Sequence, residues 1–175
     1  QIMDYSTSGR RVTRTCTRSQ YFAPQGAYPC AGDDQWCTIA VETAEQWEGL
    51  QRSMGSPAWA QDAKFGSMEG RLENHDAIDQ HIGEWTKDQE PAALMQLLLS
   101  HGVPAGVVQR SSDLKSDPQL AHRNYFRHLE HQEMGTIPYA GHQFRIKGYD
   151  SGPRFPAPVL GQHNEQVLRE VLGMT

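Results

Sequence analysis

Three cysteines, eight histidines and 21 acidic side chains are the groups in this chain whose types could support covalent, metal or acid–base chemistry. Cys16, Cys30 and Cys37 form an odd set without a CxxC pair. That spacing fits reduced thiols in a cytosolic protein better than a disulfide framework. His122, His128 and His131 lie close together, but no cysteine or carboxylate completes a metal-ligand spacing around them, and no metal site is expected. Glu42 with Glu45, and Glu69 with Glu73, could share a helical face as paired carboxylates. Surface acids at those spacings are common, and no base or cation is arranged around either pair. His163 stands near the start of a C-terminal helical pattern, where its ring could satisfy backbone groups, and is read as structural. No residue of the chain is assigned a catalytic role.

Charge and hydropathy narrow the partners. The chain has 175 residues and a formal net charge of −5, which argues against a nucleic-acid partner because phosphate-backbone binding needs a clustered basic surface. Arg10, Arg11, Arg14 and Arg18 are the basic concentration and read as a solvated lead-in. Trp36, Trp47, Trp59 and Trp85 read as core or domain-contact residues rather than a base-stacking platform. The longest apolar stretch, at residues 92–99, is far short of the roughly 20 residues that span a bilayer, so no membrane partner is expected. The chain opens on Gln1 without a signal-peptide pattern and is expected to be the cut end of a longer cytoplasmic protein.

The elements that must position any site follow from periodicity. Residues 1–20 are polar and aperiodic and predict a linker or disordered lead-in. Residues 27–31 and 35–41 predict two strands of a hairpin turning at Gly32, Asp33 and Asp34, which are small or Asx residues suited to a turn. Thr43 with Gln46 forms a capping-box pattern ahead of a helix over 43–54. Leu72, Ile78, Ile82 and Trp85 predict one long helix over 67–86. A helix over 90–101 follows, with Pro91 in its first turn, Ala93, Leu94, Leu97 and Leu98 inward, and Gly102 as its stop. Residues 103–108 predict a buried strand, and Asp117 with Pro118 opens a helical turn to about residue 124. Residues 126–131 and 143–147 predict a second strand pair around Gly135 and Gly141. The Pro/Gly-rich stretch 148–158 reads as a boundary, and 162–172 closes the chain as an amphipathic helix. The fold class is α/β, in the mixed α+β sense.

Four blocks in this order resemble the C-terminal part of the class III (CaiB/BaiF-type) CoA transferases. They are APQGAYPCAGDDQWCTIAV at 23–41 with Gln46 and Trp47, RLEN at 71–74 with IGEWT at 82–86, LLSHGVPAGVV at 98–108 with DPQL at 117–120, and APVLGQH at 157–163 with VLREVLG at 167–173. The third block is the most specific, and together they cover about residues 23–173. The pattern departs from the family at Gln143, where a proline is common, and the N-terminal Rossmann-like domain that carries the family's acylated aspartate has no counterpart here.

The resemblance implies a linker at 1–20, a CoA-transferase small domain at 21–147, and a return linker with C-terminal helix at 148–175 that would pack on the large domain. It implies transfer of CoA between an acyl-CoA and a carboxylic acid through an aspartyl intermediate, with no tightly bound cofactor and CoA as substrate. Full-length relatives imply a homodimer of interlocked rings. A loop entering the first hairpin would cover the aspartate, and its counterpart here places Tyr21, Phe22, Gln25 and Gly26 as substrate-binding residues. An α-methylacyl-CoA racemase of the same fold, or a non-catalytic partner-binding module, are the alternative readings.

Overall fold

The computed structural model of the chain describes residues 2–9, 11, 13–150 and 152–174; Arg10 of the basic cluster lies outside them. Alternation of small and apolar side chains builds the first sheet. Strands β1 (Gln25–Pro29) and β2 (Trp36–Ala40) pair antiparallel with Gln25 opposite Ala40 and Tyr28 opposite Cys37. Tyr28, Cys37 and Ile39 turn into the core, while Trp36 and Thr38 face outward, the period-2 division of a sheet with one covered face. The hairpin turn uses positive φ at Gly32 and at Asp34, a conformation that glycine and Asx residues adopt with least strain.

Strand β3 (Ala105–Val107) pairs with the other side of β2. The buried strand expected over 103–108 is thus shorter and half-buried. Val103 is fully buried, but Pro104 cannot donate to a ladder and Val108 is 43% exposed at the sheet edge.

The helices cover the inner face of this sheet. In α2 (Ala44–Ser53) both halves of the capping box form, the Thr43 hydroxyl accepting from the Gln46 N–H while the Gln46 side chain accepts from the Thr43 N–H. Gly49 lets α2 approach the chain leaving the helix at Pro91–Ser100: a Cβ there would lie 2.3 Å from the His101 carbonyl oxygen. The single helix expected over 67–86 is two, α3 (Met68–Glu73) and α4 (His75–Thr86). Asn74 ends the first at φ −109° and ψ 25°, with its backbone and side-chain amides both donating to the Gly70 carbonyl.

Helix α5 (Pro91–Ser100) starts where the Glu90 carboxylate accepts from the N–H groups of Ala92 and Ala93. It buries Leu94 and Leu98, whereas Leu97 is half-buried and Ala93, expected inward, is exposed. Ile78 and Ile82 of α4, Trp47 and Leu50 of α2, and Phe65 from a short 3-10 turn (Ala63–Phe65) complete the core. Part of the predicted lead-in forms a short exposed helix, α1 (Ile2–Ser8).

The chain divides into two compact units, Gln1–Val108 and Gln109–Thr175. In the second unit, Asp117 caps α6 (Pro118–His122) by accepting from the Leu120 N–H. Strand β4 (Phe126–His131) pairs with β5 (Gly135–Ala140), not with 143–147 as expected. Pro138, opposite His128, is compatible with a two-stranded ribbon, where half the N–H groups point away from the partner strand. Residues 143–147 instead enter a tight turn bridged by Ile146 and Tyr149.

His131 is buried as a turn brace, its Nδ1 accepting from the Glu133 and Met134 N–H groups. The expected C-terminal helix is one turn, α7 (Asn164–Gln166), followed by a π-helical turn at Val167–Val171. His163 makes no side-chain cap there, contrary to its expected role. Val171 and Leu172 remain 72% and 61% exposed.

Candidate functional site

The segment entering β1 is fixed from behind by α3 and α4. The Ala23 carbonyl accepts from Arg71 Nε at 2.8 Å, its N–H donates to the Met68 sulfur at 3.3 Å, and the Gln25 N–H donates to His75 Nε2 at 3.4 Å. The Pro24 carbonyl accepts from Val41 N–H, and the Gln25 side chain donates to the Thr17 carbonyl. Beyond this anchored base Tyr21 is 68% exposed, with its ring edge-on to half-buried Phe22 at 6.4 Å.

The four residues predicted as substrate-binding therefore occupy one loop and its strand entry. Gln25 and Gly26 line a groove of about 430 Å³ at the end of the sheet, with Thr17, Thr38, Glu42 and Pro104; Tyr21 and Phe22 are not part of its lining. Gly26 is buried within the ladder opposite Ile39, and a Cβ there would meet the Tyr28 ring at 3.1 Å. Its small size serves packing within the sheet. Thr38 donates to the Gly106 carbonyl at 3.0 Å. The groove can hydrogen-bond a ligand through hydroxyl and amide groups, and Glu42 is the charged member of its lining.

Beside the groove lies a polar cluster that sequence reading missed, because its members are far apart in the chain. Arg18 contacts Asp76 at 2.6 Å and Asp79 at 2.5 Å. Asp79 also accepts from the Tyr28 hydroxyl at 2.6 Å and lies 3.5 Å from His75 Nε2. Burial, then the Asp79 carboxylate, pushes the Tyr28 phenol well above its ordinary range. Burial also depresses the His75 pKa from its ordinary 6.5, against the opposing pull of Asp79, so the neutral ring accepts from Gln25.

A base whose folded pKa is lowered supplies stability that is present above its unfolded value and lost as pH falls through the folded one. The urea midpoint is therefore expected to drop below about pH 6.5, and His75→Gln to flatten that slope. An unchanged slope in the variant would show that His75 is not the titrating group.

No nucleophile emerges from the thiols. Burial raises the pKa of Cys30 and takes Cys37 up to about 11, the opposite of what a reactive thiolate needs; Cys16 is exposed. No group of three or more metal-ligating side chains that could hold a metal ion occurs among the described residues.

The second unit contains a larger cleft of about 750 Å³ lined by Arg123, Tyr125, Arg127, Phe144, Arg145 and Tyr149, among others. There Arg127 pairs with Asp150, and Arg145 donates to the Arg123 carbonyl. None of the predicted site residues is in it.

Residues 1–164 match the family described as CoA-transferase family III. A probable CoA-transferase of Mycobacterium tuberculosis is 35% identical over 149 residues, covering 85% of this chain and 19% of the relative. The succinyl-CoA–D-citramalate CoA-transferase of Chloroflexus aurantiacus is 28% identical over 174 residues, covering 99% of this chain and 43% of the relative. A CaiB/BaiF family protein from Brucella suis has the same fold, with a TM-score of 0.82 at 24% identity, over 98% of this chain and 43% of that one. The chain thus spans less than half the length of these relatives. A mixed α/β fold, shared with a CaiB/BaiF protein, and a family match over residues 1–164 lead to one conclusion: the chain belongs to CoA-transferase family III.

Proposed function

We propose that this chain is the C-terminal part of an enzyme that moves CoA between an acyl-CoA and a carboxylic acid. The observation that carries this is a family match over residues 1–164. In this reading an aspartate outside the chain attacks the donor thioester, giving a mixed anhydride and free CoA thiolate. The thiolate then attacks the aspartyl carbonyl, releasing the donor acid and leaving an aspartyl-CoA thioester. The acceptor carboxylate reverses these two steps and leaves as the new acyl-CoA.

Such intermediates hydrolyse unless water is kept out. Tyr21 and Phe22, at the exposed end of an anchored loop, would cover the acyl group, with Gln25 and Gly26 forming its wall. In the same proposal the small domain runs over 21–147, with 1–20 and 148–175 as linkers to the large domain of a cytoplasmic homodimer. The exposed apolar side of Val167–Val171 suits such a return contact. CoA enters as substrate, without a tightly bound cofactor.

The test is to incubate the full-length protein with an acyl-CoA and an isotopically labelled carboxylic acid. Labelled acyl-CoA should appear in step with free donor acid. Exchange of the α-proton with deuterated water and no CoA transfer would overturn the proposal in favour of racemase chemistry.

A further inference from the structure

Residues 13–22 lie in no helix or strand, and most are exposed, so little but side-chain contacts can hold them in place. The Arg18 side chain ties this segment to α4. The Arg18 guanidinium reaches Asp79 Oδ2 with both Nε, at 2.8 Å, and Nη2, at 2.5 Å. This two-pronged geometry fixes direction as well as distance. Asp79 is itself fixed, because its other oxygen accepts from Tyr28 of β1 and its side chain is only 21% exposed on α4. The second partner, Asp76, is 92% exposed and should add little in water. A single carboxylate therefore joins the entering segment, the first strand and the longest helix.

On one side of the loop tip stands Arg18; on the other stand Ala23 and Gln25, held by Arg71 and His75. Tyr21 and Phe22 are thus carried on a short span pinned at both ends.

We propose that Arg18 and Asp79 form a latch that sets the position of Tyr21 and Phe22, and that both are positioning residues for the loop. Its consequence for catalysis rests on the reading of that loop as an acyl cover, given above.

The test uses the 175-residue chain with Arg18→Gln, Arg18→Lys, Asp79→Asn and Asp76→Asn. The readouts are the rate of chymotrypsin cleavage after Tyr21 or Phe22 and deuterium uptake at Ala23 and Gln25. Arg18→Gln and Asp79→Asn are expected to raise both by about tenfold while the thermal midpoint stays close to the parent value. Arg18→Lys, which keeps the charge but not the fork, should fall between them and the parent. Asp76→Asn should stay near the parent. Cleavage and uptake within about twofold of the parent in Arg18→Gln would overturn the latch.

The same Arg18→Gln substitution in the full-length enzyme separates the two ideas. A higher ratio of acyl-CoA hydrolysis to CoA transfer, with KM for the acyl-CoA unchanged, supports latch and cover together. Faster cleavage with an unchanged ratio supports the latch and removes the loop's role as a cover.

Discussion

Replacing Arg71 by methionine is expected to lower the stability of the Gln1–Val108 unit by about 3 kcal/mol or more, read as a shift in the urea midpoint of tryptophan fluorescence. Arg71 is only 2% exposed, and among the described residues no carboxylate hydrogen-bonds to it. Its guanidinium instead donates to the carbonyls of Ala23, Phe65 and Gly66 at 2.8, 3.1 and 3.4 Å, and lies 5.2 Å over the Trp47 ring. Methionine fills similar space but leaves these acceptors without their donor, at about 1 kcal/mol or more each where they stay dry. No buried countercharge is orphaned, which separates this site from a broken ion pair. Arg71→Lys should recover only part of the loss, because one ammonium cannot reproduce a planar fork. A loss below about 1 kcal/mol in the methionine variant would mean that water reaches those carbonyls.

Phe65→Ala is expected to cost about 3–5 kcal/mol in the same measurement. Phe65 is 1% exposed and sits edge-on to Trp47 at 6.4 Å and to Trp59 at 5.8 Å. Trp59, in a 3-10 turn at Ala58–Gln61, in turn stacks on His81 at 4.3 Å, so the ring cluster joins α2, the two 3-10 turns and α4. Removing it leaves a cavity whose walls are rigid rings with little freedom to collapse. Phe65→Leu keeps most of the volume and should cost only about 1–1.5 kcal/mol. An alanine variant within about 1 kcal/mol of the parent would show that the cluster repacks.

Local signals were legible in the sequence, and tertiary ones were not. The hairpin turn, the Thr43–Gln46 capping box, the Glu90–Pro91 helix start and the Asp117 cap are each written within a few residues, and all four form. The break at Asn74 was hidden because a one-residue interruption hardly disturbs the helical spacing of Ile78 and Ile82. Strand β5 was hidden by Pro138, whose penalty holds in a central strand but not in a two-stranded ribbon.

Arg71 and Phe65 show the larger gap. An arginine inside a helical pattern reads as surface, and only a fold that brings three carbonyls to it makes burial favourable. For the candidate site, the resemblance placed Tyr21, Phe22, Gln25 and Gly26 in one loop and strand entry. It gave no hint of Asp79, which is separated from Arg18 by 61 positions and from Tyr28 by 51. Contacts of that range depend on the packing of α4 against β1.

The most direct measurement is CoA transfer by the 175-residue chain alone, set beside the longer enzyme proposed above with the same acyl-CoA and carboxylic acid. If the nucleophile lies outside the chain, the chain alone should give no acyl-CoA product. It should also form no covalent acyl or CoA adduct by intact-mass spectrometry, and bind CoA more weakly than micromolar by calorimetry, while the longer enzyme turns over. Sustained transfer by the chain alone, or an adduct on one of its own residues, would contradict that placement and put the catalytic group within these residues.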